Sequence, residues 1–300
     1  MKHLYILLFV LPLIGFGQGW EQTYGGDEND HGRSVQQTTD GGYIITGTTH
    51  SFGDGNGSNI YLIKTDENGE EEWSQTFGGD GWDWGYSVQQ TTDGGYVLTG
   101  YTTDYFNGQG RDVILIKTNE NGEEIWSQTF GGEESWDEGN SVQQTTDGGY
   151  IIIGDTTSPF SGEEDSSWNV YLIKTDSNGV EEWSHIFGGE LNDLGKSIQQ
   201  TTDGGYIITG IHGRSVTVGQ GNNINGDVYL IKTNGDGEEE WSQILGGTED
   251  DRGDSVRETT DGGYIISGHV MSIFAGFGDG SDILLIKTDE YGEEEWSQIF

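Results

Sequence analysis

Cysteine is absent from the 300-residue chain and proline occurs only twice. Without a thiol there is no disulfide frame and no thiolate-ligated metal or redox centre. Stability must therefore rest on packing and hydrogen bonds. Positive charge is equally scarce: 12 Lys and Arg stand against 52 Asp and Glu, a formal net charge of −40. Such a chain repels nucleic-acid phosphates and anionic lipid, which excludes both as partners. It admits divalent cations and basic partners, and it keeps a glycine-rich β protein soluble. No nucleophile motif, zinc-ligand spacing or phosphate-binding loop is present, and the 6 His do not recur in register. What the chain does have is aromatic residues, at 12%. Acidic disordered chains are poor in aromatic and β-branched residues, so recurrent Trp, Tyr, Ile and Val mark a chain that can build a core.

The first 17 residues stand apart. Lys2 and His3 precede an apolar run from Leu4 to Phe16, which ends in Gly15-Phe16-Gly17. A basic start, a short apolar stretch and a small-x-small site read as a secretory signal peptide, with the mature chain starting at Gln18. The run is too short for a membrane span, which needs about 20 residues. The expectation is a secreted protein, at the cell surface or in the periplasm, with no membrane insertion after cleavage. A single domain is expected over 18–300.

That domain is a repeat. Trp-x-Gln/His-x-(aromatic or Leu) recurs at Trp20, Trp73, Trp126, Trp183, Trp241 and Trp296, roughly every 55 residues. These define units of about 20–72, 73–125, 126–182, 183–240 and 241–300. Ser34-Val35-Gln36-Gln37-Thr38-Thr39-Asp40-Gly41-Gly42-Tyr43 returns from Ser87, Ser141, Ser197 and Ser255, and Leu62-Ile63-Lys64-Thr65 returns from Leu115, Leu172, Leu230 and Leu285. Each unit predicts four strands. Strand A covers Ser34 to Thr38, and Asp40-Gly41-Gly42 is a tight hairpin turn. Strand B covers Tyr43 to Gly47 and is apolar on both faces, as a doubly buried strand is. Strand C covers Ile60 to Thr65, Asp66-Glu67-Asn68-Gly69 is a second turn, and strand D covers Glu71 to Phe77. Four-stranded units repeated in this way are the blades of an all-β propeller, five in this chain. The recurrent Trp residues read as blade-packing groups. Lys64, Lys117, Lys174, Lys232 and Lys287 sit beside the Glu-rich D strands, where cross-strand charge pairs form.

Gly-Gly-Tyr-Ile-Ile-x-Gly followed by Ile-Tyr-Leu-Ile-Lys-Thr and a Trp strand resembles a kelch repeat. Lys-Thr-Asp-x-Asn-Gly-Glu-Glu-Glu-Trp resembles the quinoprotein repeat. The wording as a whole is similar to repetitive secreted propeller-like proteins of Bacteroidetes-type bacteria. The resemblance spans 19–300 and implies architecture rather than activity. A quinone cofactor would be expected to need channel Arg, Asp and Trp groups, and basic residues are few.

Closure is the open point at this level. Gly19 to Tyr24 reads as a sixth D strand preceding the first A strand, and Glu293 to Phe300 already completes the last blade. Two arrangements follow: a five-bladed ring with one redundant edge strand, or a fragment of a larger ring.

In an antiparallel blade the A–B and C–D turns share one face, and the B–C and D–A loops share the other. The first face carries short, nearly invariant turns; the second carries all the variation. Variable loops on a rigid scaffold are where binding residues concentrate. The candidate ligand-binding residues are therefore Phe52, Tyr105, Phe106, Phe160, Trp168, Phe274 and Phe277. The same face repeats Asp-x-Gly-x-Ser, giving Asp30, Asp83, Asp137, Asp193 and Asp251. A ring of these carboxylates would take calcium, which favours several oxygen ligands; no other cofactor is indicated. The competing reading is an Asx turn, which needs only one Asp per unit. Function divides the same way. A non-catalytic binding or adhesion module, or surface scaffold, would take a glycan or protein as a monomer or as part of a larger surface protein. The alternative is a carbohydrate-active hydrolase using acidic residues at the central channel, where two carboxyls in distinct environments would be required.

Overall fold

The computed structural model describes residues 21–53, 57–103, 110–132, 135–157, 167–214, 226–271 and 280–300. Residues 1–17, expected from the sequence to be a signal peptide, lie outside these residues. Among the described residues no helix is long and apolar enough to cross a membrane. The described residues form five four-stranded antiparallel sheets, each in sequential order, arranged as propeller blades. Blade one is β1 (Asp30–Gln37), β2 (Tyr43–Thr49), β3 (Asn59–Thr65) and β4 (Glu71–Phe77). Blade two is β5 (Trp84–Gln90), β6 (Tyr96–Thr102), β7 (Asp112–Thr118) and β8 (Glu124–Phe130). Blade three is β9 (Asp137–Gln144), β10 (Tyr150–Thr156), β11 (Asn169–Thr175) and β12 (Glu181–Phe187). Blade four is β13 (Asn192–Gln200), β14 (Tyr206–Arg214), β15 (Asp227–Thr233) and β16 (Glu239–Leu245). Blade five is β17 (Asp250–Glu258), β18 (Tyr264–Met271), β19 (Ser281–Thr288) and β20 (Glu294–Ile299).

Local chemistry accounts for these elements. The A–B hairpins turn on Gly41, Gly94, Gly148, Gly204 and Gly262, all at φ between 88° and 91°, a conformation that costs glycine little. In the C–D turns the first Asp or Asn side chain closes an Asx turn: Asp66 Oδ1 accepts from Asn68 N at 2.8 Å and Glu70 N at 2.9 Å. Strands β6 and β10 are buried along nearly their whole length, as the doubly apolar B strand requires.

Blades stack through apolar clusters between neighbours, one for each of the four successive junctions. In blades one to four the D-strand Trp lies against the B-strand Tyr of the next blade, with centroids 5.7 Å apart for Trp73–Tyr96, 5.7 Å for Trp126–Tyr150, 6.1 Å for Trp183–Tyr206 and 5.8 Å for Trp241–Tyr264. Each repeat lysine is buried, and it does more than pair across strands. Lys174 Nζ bonds Thr175 O at 2.9 Å, Glu182 at 2.8 Å and the A–B turn Asp147 at 2.9 Å. The lysine therefore clamps the A–B turn to the C–D hairpin. Lys117 binds only Thr118 O and Asp93, because Ile125 stands where its sisters have Glu.

The inner strands of all five blades line one central channel. Backbone N–H groups tie them together: Gln90 N donates to Gln36 Oε1, Gln144 N to Gln89, Gln200 N to Gln143 and Glu258 N to Gln199, at 2.6 to 2.8 Å. The seam between blades five and one differs. Val35 is 64% exposed, whereas its equivalents Val88, Val142, Ile198 and Val256 are buried. Trp296, Ile299 and Phe300 are exposed on the outer flank of blade five.

The sixth D strand expected from the sequence is corrected here. The described part of that segment, from Glu21 on, carries no strand. A strand needs a paired neighbour, and among the described residues no strand pairs with this segment. Its text persists for a different reason. Gln22 Nε2 donates to Glu70 at 3.0 Å and Tyr24 Oη to Gly69 O at 2.6 Å. Gln243 of blade four holds Glu293 of blade five in the same way, at 3.2 Å. The segment thus covers the flank of blade one where a preceding blade's D strand would lie.

Candidate functional site at the channel mouth

The five Asp residues come to the start of each inner strand, on the face carrying the variable loops. Each works within its own blade. Asp30 Oδ2 accepts from Gly26 N at 2.8 Å, Asp83 Oδ2 from Gly79 N at 2.9 Å and Asp251 Oδ2 from Gly247 N at 2.7 Å. Thr102 Oγ1 adds a short bond to Asp83, and Ser135 Oγ one to Asp137. These bonds fasten the glycine-rich D–A loop to the end of the B strand, an Asx-type role. Burial pushes the carboxyls of Asp83, Asp137, Asp193 and Asp251 above their ordinary range, against the hydrogen bonds they receive. At Asp30 burial raises the carboxyl too, but bonds from Thr49, Gly26 and Ser51 outweigh it and leave the net shift downward. Among the described residues no three His, Asp or Glu side chains are grouped to hold a metal.

The variable residues of the same motif make the site. In Asp-x-Gly-x-Ser the second x is an extra residue in the strand: the register between A and B shifts at Gly32/Ser34, Gly85/Ser87 and Gly253/Ser255. A bulge of this kind re-aims a side chain and bends the strand. The bulged positions are Arg33, Tyr86, Asn140, Lys196 and Asp254. The first x faces a B-strand partner across the sheet: His31–Thr48, Trp84–Tyr101, Glu138–Asp155, Leu194–Ile211 and Arg252–His269. Each blade thus brings a different chemistry to one mouth. The glycines in between let the backbones close up: a Cβ on Gly100 would sit 1.7 Å from Trp84 O, and one on Gly154 1.8 Å from Glu138 O.

Between blades two and three these residues enclose a cavity of 460 Å³, lined by Trp82, Trp84, Tyr86, Tyr101, Arg111 and Trp136, with Thr103 and Gly110. Trp84 stacks on Tyr101, with centroids 5.7 Å apart and planes 23° apart, and its Nε1 is fixed on Ser58 Oγ at 2.9 Å. The Arg111 guanidinium lies between two rings, 4.8 Å from the Tyr101 centroid and 4.6 Å from Trp136. It also pairs with Glu138. Arg33 reaches from blade one over Trp84 at 5.5 Å and Tyr86 at 5.8 Å. Trp82 and Trp136 form the rim, each 47% exposed. Large flat rings left half open beside a cavity are ready to stack on a ligand. Burial pushes the Tyr101 phenol up to about 12.

Behind the aromatic wall lies a charged network. Asp155 Oδ1 accepts from Gly195 N at 2.7 Å, and its Oδ2 from Asn140 Nδ2 at 2.8 Å and Lys196 Nζ at 3.0 Å. Burial pushes the Glu138 carboxyl up, and Arg111 opposes the shift.

Of the residues singled out from the sequence, Trp168 touches this site, 6.5 Å from Trp136 in an edge-on contact. Phe52 lies instead on Tyr61 of blade one, at 5.4 Å. Tyr105, Phe106, Phe160, Phe274 and Phe277 fall outside the described residues. Trp82, Trp84, Tyr86, Tyr101, Arg111 and Trp136 lie near the same loops but were not selected from the sequence. The signal for Trp84 and Tyr86 was the variable x of Asp-x-Gly-x-Ser, and for Trp82 and Trp136 the Trp just before that Asp, in Trp-Asp-Trp-Gly-Tyr-Ser of blade two and Trp-Asp-Glu-Gly-Asn-Ser of blade three; Tyr101 and Arg111 lie outside the motif.

No protein-family model matches the chain, and no curated protein sequence matches it. Among solved structures it is similar to a protein of unknown function from Bacteroides caccae, with a TM-score of 0.52, 14% identity, and coverage of 92% of this chain and 84% of that one. A thermostable family-43 glycoside hydrolase gives a TM-score of 0.49 at 11% identity, covering 91% of this chain and 94% of that one. An α-L-arabinofuranosidase from Clostridium thermocellum gives 0.44 at 11% identity, over 91% and 94%. At such identities a likeness concerns fold alone. The fold defines the class: an all-β propeller of four-stranded antiparallel blades.

Proposed function

We propose that this chain is a secreted, non-catalytic binding module that takes a glycan at the channel mouth between blades two and three. The observation that carries the reading is the aromatic cavity itself. Trp84, Tyr101 and Trp136 are held by their own framework contacts, and they enclose a space of 460 Å³ whose rim rings stand half open. That volume is within the range of small-ligand sites. Arg111, Arg33 and Glu138 supply directional hydrogen-bonding groups beside the rings.

A hydrolytic reading has one observation in its favour. Glu138 is pushed up by burial and stands opposite Asp155 across the sheet, so two carboxyls differ in environment. Binding fits better, because both are tied into the network behind the rings. Glu138 is paired with Arg111, and both oxygens of Asp155 accept bonds from Gly195, Asn140 and Lys196. A nucleophile or general base needs a free lone pair directed at substrate.

Isothermal titration against a panel of neutral and acidic oligosaccharides tests the proposal. At least one is expected to bind, and Trp136→Ala is expected to weaken it about tenfold, or about 1.4 kcal/mol. A panel that yields no binder, or a Trp136→Ala variant that binds as tightly as the parent, refutes the site. Release of reducing sugar that is lost in Glu138→Gln would establish the hydrolytic reading instead.

A further inference from the structure

A second cavity, of 270 Å³, lies in the central channel below the mouth. Its wall is made by Ser, Val, Ile and Gln of the inner strands, and by Arg257. In a chain with 52 acidic residues, none of them lines this space.

The polar groups there are of one kind. The Oε1 atoms of Gln36, Gln89, Gln143 and Gln199 accept backbone N–H bonds from the neighbouring blade. Only the oxygen of an amide can accept, so this contact fixes each amide's orientation. Four side-chain NH₂ groups are left on the channel side. Ser34 and Ser87 Oγ likewise accept from Val88 N and Val142 N, at 3.4 Å and 3.3 Å, which leaves their hydroxyl protons to donate. The acceptors are spent on holding the blades together, and the donors remain. Blade five then adds a cation. Where the other four units carry Gln, it carries Arg257, whose Nη1 makes a bond to Val256 O at 2.7 Å and whose side chain is exposed. The repeat lysines are consumed in turn clamps, and Arg111, Lys196 and Arg252 are paired at the mouth.

We propose that the central channel is an anion site, which takes one small carboxylate- or sulfate-type oxyanion on Arg257 and the glutamine amides. A guanidinium fork and converging N–H donors match either group, and the cavity is slightly smaller than a drug-sized site. This site is separate from the aromatic mouth and does not depend on the glycan reading.

The test is isothermal titration of the full chain with sodium sulfate, sodium D-galacturonate and, as the neutral counterpart, D-galactose. Two variants keep the ladder. Arg257→Gln restores the residue of the other blades. Gln143→Glu retains an acceptor for Gln200 N, as Glu258 shows when it accepts Thr202 N at 2.9 Å, but places a negative charge in the channel. Saturable binding of sulfate or galacturonate is expected, at least tenfold weaker in Arg257→Gln and lost in Gln143→Glu. Trp136→Ala is expected to leave it unchanged. If Arg257→Gln fails to fold, Gln143→Glu decides alone. Absence of saturable binding by either anion overturns the proposal. So does anion binding that both folded variants retain, or galactose binding as tight as galacturonate and unaffected by them.

Discussion

Replacing Lys174 by Met isolates what the repeated lysine clamp contributes. Met fills much of the aliphatic space and removes the three bonds of the ammonium. The three are not equivalent. Thr175 is fully buried, so its carbonyl loses a partner that water cannot readily replace, at a cost of about 2 kcal/mol. Asp147 and Glu182 have side chains 59% and 48% exposed, so they rehydrate, and each lost pair costs about 0.5 kcal/mol. The expected destabilisation is about 3 kcal/mol, or a fall in Tm of about 6 to 12 °C for a domain of this size. Urea titration followed by Trp fluorescence measures it directly, with an unchanged m-value showing that the native state is intact. Glu182→Gln serves as the control and should cost less than about 1 kcal/mol. If Glu182→Gln costs as much as Lys174→Met, the energy lies in the exposed ion pair and the argument from the buried carbonyl fails. A Lys174→Met variant within about 0.5 kcal/mol of the parent would refute the clamp altogether.

The same clamps set an acid limb. Asp40, Asp147, Asp203 and Asp261 are held down to about 2 by their bonds to Thr, Lys and Gly groups, burial opposing. The unfolded value is about 3.9, so their stabilisation is complete above about pH 4 and is lost as the pH falls toward about 2. Asp83, Asp137, Asp193 and Asp251 are raised in the fold and act with opposite sign. Urea midpoints between pH 6 and pH 2, taken at about 0.5 M NaCl to screen self-repulsion, should fall below pH 4, and less so in an Asp147→Asn, Asp203→Asn variant. A midpoint that rises toward pH 2 contradicts the assignment. Gly154→Ala, which would put a Cβ 1.8 Å from Glu138 O, is expected to cost about 3 kcal/mol or more and to disturb the mouth. Gly189→Ala, with nothing within 4 Å, is expected to change stability by less than about 0.5 kcal/mol in the same melt.

The blades were legible because each strand carries its own local instruction. The Asp-Gly-Gly turn requires a positive φ, and the Asp-x-Asn-Gly turn closes on its own side chain. The doubly apolar Tyr-Ile-Ile run has only one place to go. The D strand expected over Glu71 to Phe77 is the D strand observed. Strand A was expected to start at Ser34, yet it starts at Asp30. Trp84 and Tyr86 were missed because they flank the bulge. A bulge inserts a residue without any change in the sequence that marks it, and Arg33, Tyr86 or Asp254 in that position looks like a gap in the repeat.

That gap is also why the candidate site was only half visible. Searching a repeat for what recurs finds Asp30, Asp83, Asp137, Asp193 and Asp251, and recurrence selects for the frame. A carboxylate needed once per blade to fasten a D–A loop is not available to a ligand. Chemistry that distinguishes one direction around the channel has to come from positions where the units disagree. Those positions hold Trp84 and Tyr86 in one blade, Glu138 and Asn140 in the next, and Lys196 after that. The same logic separates Arg257 from its glutamine equivalents. A glutamine there can accept the N–H of a following inner strand, and an arginine cannot, so the residue that brings a cation into the channel offers no acceptor for a further rung. The first-blade flank, covered by Gln22 and Tyr24, lies at that same seam. One substitution in a repeated word thus changes the charge of the space the strands enclose, at the seam where the ladder ends.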